Sequence, residues 1–177
     1  MSAEHFSYLA FLVGFAFTGL ASVAYVSLPL WPRVVVRQAA TDIGATMTVA
    51  TPVKPPAWLG SSATAMSWLA LASLSTSLGA RWVAAGRPPY ANMWEFTVGF
   101  GWGIVLFHAL FELRFRLFGG DGSSTSGAAA RMVGAVLLPV AFTMFAFALA
   151  YFPSNIHPLM PALQANRILG AHVATMT

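Results

Sequence analysis

Two stretches of this sequence carry residues that could do chemistry, and long apolar runs surround both. The first is Gly86-Arg87-Pro88-Pro89-Tyr90-Ala91-Asn92-Met93-Trp94-Glu95-Phe96. Asn92 with Glu95 three residues later is a helix-opening pair: the amide oxygen accepts a free first-turn N–H, and the carboxylate reaches back over the cap. A carboxylate at the edge of a membrane segment costs on the order of 1–3 kcal/mol unless it is paired. Glu95 therefore requires a cation, and Arg87 is the nearest in the chain. Such a pair would clamp the Pro88-Pro89 loop and would not transfer protons. The same residues also fit a simple helix start with Tyr90 and Trp94 in the interfacial belt.

The second stretch is Ser154-Asn155-Ile156-His157-Pro158-Leu159-Met160-Pro161-Ala162-Leu163-Gln164-Ala165-Asn166-Arg167, leading to His172. Pro161 suits the first turn of a helix, from which Ala165, Leu169 and His172 fall on one face. A neutral imidazole there can be an axial haem ligand or a proton-handling group. It can equally be an interfacial histidine bonded to a neighbour. The four histidines form no internal metal set, because His5, His157 and His172 sit towards one side and His108 towards the other. The chain has no cysteine. That excludes disulfides, thiolate metal sites, iron–sulfur clusters and haem attached through Cys-x-x-Cys-His. Nothing resembles a nucleophile–base pair, a P-loop or a dinucleotide fingerprint.

The elements that must position these residues follow from composition. Of 177 residues, 58% are hydrophobic and 8% charged, against roughly 25% charged in soluble domains. Mean hydropathy is +0.71. A water-soluble fold is excluded, and the expected surroundings are a lipid bilayer. A net charge of +4 would point to nucleic acid in a soluble protein. Here the cations set orientation, and no nucleic-acid partner is expected. The runs predict an all-α, polytopic membrane helix bundle, one integral domain over 1–177. Its spans fall near 6–30, 58–80, 92–111 and 132–152, with a short C-terminal helix or partial fifth span from about 161. Strands are not expected, since the runs are long and unalternated. The Gly/Ser-rich 119–128 stretch reads as a flexible linker, and the N-terminal run is too long for a signal peptide.

Loops 32–57 and 112–131 contain Arg33, Arg37, Lys54, Arg114, Arg116 and Arg131, whereas the opposite side has only Arg81, Arg87 and Arg167. The positive-inside rule puts the first set in the cytoplasm. The N-terminus and loops 81–92 and 153–166 then face outward, where both polar stretches lie.

Asn92-Met93-Trp94-Glu95-Phe96 after Arg-Pro-Pro-Tyr resembles the "SNLYES" or "NMYEF" motif of the CcsA (ResC) family. Pro161-Ala162-Leu163-Gln164-Ala165-Asn166 followed by His172-Val173 resembles that family's "PALQSN … HV" motif. The resemblance implies a haem-handling protein of cytochrome c biogenesis (System II), which exports haem to the membrane's outer face. It would present non-covalent, transient haem b there for attachment to apocytochrome c, alongside a CcsB (ResB)-type membrane protein. It makes His172 an outward axial haem ligand, with Arg87, Asn92, Trp94, Glu95, Pro161, Leu163 and Gln164 as motif or structural residues. The location implied is the bacterial plasma membrane. In family members the second ligand and the tryptophan-rich WGxxWxWD platform come later than the residues matched here. The chain alone is therefore not expected to be a competent holocytochrome c synthase. The end within an apolar run fits the N-terminal half of such a protein. The alternative is a half-length relative acting as a structural subunit of a respiratory or photosynthetic membrane complex.

Overall fold

The structure, a computed structural model, describes residues 3–30, 34–40, 46–52, 56–119 and 125–156. Four long helices dominate: α1 (Ala3–Leu30), α2 (Ala57–Ala85), α3 (Met93–Gly119) and α4 (Thr125–Tyr151). Each buries residues at alternating steps of four and three. In α1 these are Ser7, Phe11, Gly14, Thr18, Ala21, Tyr25 and Leu28; in α2, Ala63, Ser67, Ala70, Leu74, Ser77 and Arg81. In α3 they are Trp94, Val98, Gly101, Val105, His108 and Glu112; in α4, Gly134, Leu138, Ala141, Phe145 and Ala148. A 3.5-residue repeat keeps one stripe inward over the whole length of a helix and favours nearly aligned packing.

The helices pack in a ring, α1 on α2, α2 on α3, α3 on α4 and α4 on α1. Side chains close the centre. Phe11 meets Trp94 edge-on at 5.0 Å and Phe145 at 5.9 Å, which joins α1, α3 and α4 in one aromatic layer. Neighbours run antiparallel: Ser77 of α2 lies beside Ser7 of α1, and Thr64 of α2 beside Tyr25 of α1. Large apolar side chains such as Val23, Val83 and Val136 point outward, which suits lipid.

Three helices are long and apolar enough to cross a membrane: Ala3–Leu30, Met93–Arg114 and Arg131–Tyr151. The fourth expected span, α2, falls short in hydropathy because serine and threonine replace aliphatic residues along it. Most of their hydroxyls are satisfied within the protein. Ser7 Oγ donates to Ser77 O at 2.9 Å and Ser77 Oγ donates back to Ser7 O at 2.8 Å. Ser75 and Thr76 donate to the carbonyls of Leu71 and Ala72.

Several boundaries move. α2 runs on to Ala85 and stops at Gly86, whose left-handed φ of 64° lets its N–H reach Trp82 O, a conformation glycine adopts without a Cβ penalty. α3 continues past Arg114 to Gly119, and α4 starts at Thr125, inside the stretch read as a flexible linker. The 32–57 connection, where no strand was expected, carries two: β1 (Val34–Ala40) and β2 (Thr46–Pro52), antiparallel with Val34 opposite Pro52 and Ala40 opposite Thr46. Val34, Val35 and Val36 facing a Thr- and Val-containing segment favour strand pairing. The helix expected from about 161 lies outside the described residues.

One close approach in the ring is at Gly134, where a Cβ would lie 2.5 Å from His108 Nε2 and 2.6 Å from Tyr25 Cδ1. Gly134→Ala should therefore destabilise the bundle by about 1–3 kcal/mol, the usual range for overpacking. Gly79→Ala, with nothing within 4 Å of its Cβ, should be neutral or slightly stabilising. Thermal unfolding of the two variants in detergent checks the difference.

Candidate functional site

At the end of the bundle formed by the α2–α3 loop, the cap of α3 becomes a polar cluster. Glu95 N–H donates to Asn92 Oδ1 at 2.7 Å, as the helix-opening pair requires. The Glu95 carboxylate reaches back one residue further than the cap itself and accepts the Ala91 N–H at 2.7 Å. Arg87 Nη1 donates to Glu95 Oε2 at 3.1 Å, so the expected clamp is formed. A second cation is closer. Arg81 Nε donates to Glu95 Oε1 at 2.8 Å, and both side chains are 0% exposed. The Arg81 guanidinium also lies 4.4 Å over the Trp94 ring, a cation–π contact that gains strength where water is excluded.

The cluster extends to the chain beyond α4. Arg81 Nη2 donates to Ser154 O at 2.5 Å, and Asn92 Nδ2 donates to Asn155 O at 3.2 Å. Glu4 Oε1 accepts the Ile156 N–H at 3.1 Å. Among the described residues, Arg81 Nη1 and Trp94 Nε1 are buried without a hydrogen-bond partner.

Of the residues singled out from sequence, Arg87, Asn92, Trp94 and Glu95 meet here. Pro161, Leu163, Gln164 and His172 lie outside the described residues, as does His157. Arg81 was missed as the partner of Glu95. Its signal was available: it stands at the end of the 63-67-70-74-77-81 stripe that α2 turns inward, and an arginine on such a stripe must find a counter-charge.

A second polar group lies towards the opposite end. Tyr25 Oη donates to Glu112 Oε2 at 2.6 Å, and Thr64 Oγ1 donates to Glu112 Oε1 at 2.5 Å. One turn earlier on α3, His108 is fully buried, with Nδ1 3.2 Å from Ser67 Oγ and its ring edge-on to Tyr25 at 4.8 Å. Its Nε2 has no partner among the described residues.

Neither group fits a tetrapyrrole. The backbone of Gly134 closes the space over His108 Nε2. Among the described residues, no set of three or more His, Asp or Glu side chains could hold a metal ion. A groove of about 400 Å³ runs along the outer side of α3, lined by Tyr90, Phe96, Phe100, Trp102, Phe107 and Leu137 among others. It offers apolar packing but no histidine or carboxylate. The ion cluster and the Glu112 group can brace the bundle at its two ends.

Comparison with known proteins bears on which family this bundle belongs to. The chain is 36% identical over 121 residues to "Cytochrome c biogenesis protein CcsA" of Nostoc punctiforme, a match covering 67% of this chain and 30% of that protein. It is 35% identical over 121 residues to the protein of the same name from Microcystis aeruginosa, covering 67% and 32%. For that of Synechocystis the identity is 32% over 127 residues, covering 70% and 34%. The chain carries a CcsA-type segment. It spans about a third of the length of the curated relatives it matches. No family model matches it, and no solved structure does. Within this CcsA-type segment, the Asn92–Phe96 motif is thus the cap, the ion cluster and part of the aromatic layer at once.

The geometry revises what the lone Arg87 pairing implies for Glu95→Gln. With Arg87 as the only partner the change would be mild; with Arg81 fully buried it strands a cation. Loss of one partner of a buried pair costs about 3–5 kcal/mol, so Glu95→Gln should lower the unfolding midpoint sharply. The double variant Arg81→Met/Glu95→Gln should be more stable than Glu95→Gln alone. Denaturant unfolding of both variants checks the sign.

Proposed function

We propose that the chain serves cytochrome c biogenesis as part of a CcsA-type protein that handles haem and presents it on the outer membrane face for attachment to apocytochrome c. A CcsB (ResB)-type membrane protein is its partner. The observation that carries this reading is the similarity to proteins named for that process, over two thirds of the chain. The ion cluster supports it, because the family-like motif residues Arg87, Asn92, Trp94 and Glu95 are drawn together where the chain runs on towards His172.

In this reading all four helices cross the bilayer, α2 included, since it is as long as its neighbours and runs antiparallel beside them. Loops 32–57 and 112–131 are cytoplasmic, while the N-terminus and loops 81–92 and 153–166 face outward from the bacterial plasma membrane. Haem is cargo and not a resident group. The role of His172 is to supply one axial nitrogen to it, and the ion cluster braces the scaffold from which the chain continues. A reporter inserted in the 119–128 stretch should behave as cytoplasmic; labelling of that stretch from outside intact cells would overturn the orientation.

Haem binding is tested by adding haem to the purified chain and recording its absorption spectrum. The expected result is a five-coordinate, one-histidine spectrum that His172→Ala abolishes. A chain that takes up no haem and co-purifies with a larger membrane complex would contradict haem handling and favour a structural subunit.

A further inference from the structure

Three consecutive residues after α4 are each held by a side chain from a different helix end. Arg81, near the end of α2, holds Ser154 O; Asn92, the cap of α3, holds Asn155 O; and Glu4, in the first turn of α1, holds the Ile156 N–H. All three bonds are to backbone groups, so they govern the path of the chain and are indifferent to its side chains. No backbone–backbone hydrogen bond is made by 153–156 among the described residues; the last one belongs to Phe152. Ordering a stretch with no secondary structure of its own requires outside partners. Here those partners come from three directions, which restrains the orientation of the chain as well as its position.

Arg81 links this restraint to the ion cluster, because the same guanidinium that pairs with Glu95 through Nε holds Ser154 through Nη2. Asn92 does the same with its two amide atoms, capping α3 through Oδ1 and holding Asn155 through Nδ2. The α3 cap and the exit of the chain are therefore held by shared side chains.

We propose that Glu4, Arg81 and Asn92 are positioning residues that set the point and direction at which the chain leaves the bundle at Ile156, and that haem binding by the chain depends on this restraint. The functional half of this rests on the haem-handling reading above.

The absence of cysteine makes the test direct. Nitroxide labels are placed on the full chain at Val23, which is 70% exposed, and at Asn155, which uses only its backbone oxygen in the restraint. Their separation is then measured by pulsed electron resonance. The perturbing variant is Glu4→Ala/Asn92→Ser: serine keeps an acceptor for the Glu95 N–H but is too short to reach Asn155 O. It leaves the Arg81–Glu95 pair untouched, and circular dichroism checks that helix content is retained. The parent should give one narrow distance distribution and the double variant a clearly broader one. Glu4→Gln, which keeps an acceptor, should stay narrow. An unchanged width in the double variant overturns the proposal. The second readout is the affinity for added haem, which should weaken about fivefold in the double variant, comparable to a lost hydrogen bond. A broadened distribution with unchanged haem affinity overturns the positioning role. No haem uptake by the parent, with broadening in the variant, overturns the haem reading while upholding the restraint on the chain exit.

Discussion

The Arg81–Glu95 ion pair is the constraint on which the rest of this structure depends. Both side chains are fully buried at 2.8 Å, and in a bilayer-facing bundle neither could return to water without dismantling the end of a helix. Taking two charges out of water costs several kcal/mol for each ion, and their attraction offsets this only when the remaining donors and acceptors are also satisfied. The Ala91 N–H, Arg87 and the Ser154 carbonyl supply most of those bonds. This explains why the loop and the cap converge on the carboxylate while the chain after α4 meets its arginine partner. The pair's contribution lies in specificity more than in stability: only one register of α2 against α3 brings these groups together.

Between the two polar ends the ring is filled by Phe11, Trp94, Phe145 and aliphatic residues. Glu112 at the other end receives hydroxyls from Tyr25 on α1 and Thr64 on α2. The bundle is thus tied by one carboxylate from α3 near each end, with different partners. Glu95 has cations and Glu112 has hydroxyls at the contacts described here. Hydrogen bonds between membrane helices are individually modest, on the order of 0.6–2 kcal/mol. Two separated ties nevertheless hinder sliding of α3 against α1 and α2, and this keeps the four inward stripes aligned.

How much of this could be read from sequence depended on how local the signal was. The lengths of the apolar runs placed α1, α3 and α4 to within a turn or two, because burying backbone in lipid leaves few alternatives to helix. The Asn92–Glu95 cap and the Arg87 contact were legible because they span only a few residues. Arg81 lies fourteen residues from Glu95, and only the inward stripe of α2 brings it there. Tyr25, Thr64, Ser67, His108 and Glu112 come from three helices; nothing short of helix packing could gather them. The β1–β2 pairing was overlooked because a search for membrane spans gives little weight to a short β-branched run such as Val34-Val35-Val36. The modest hydropathy of α2 was a sign that its hydroxyls are bonded inside.

The role of Glu95 is to hold Arg81 and the loop in place, with no part in proton transfer. Its most direct test is to measure cytochrome c maturation and membrane abundance of the protein together in cells expressing Glu95→Gln or Arg81→Met/Glu95→Gln. Maturation is expected to fall in proportion to abundance in the single variant, with both recovering together in the double variant. Normal abundance of Glu95→Gln with maturation abolished would contradict the claim and make the carboxylate itself part of the chemistry.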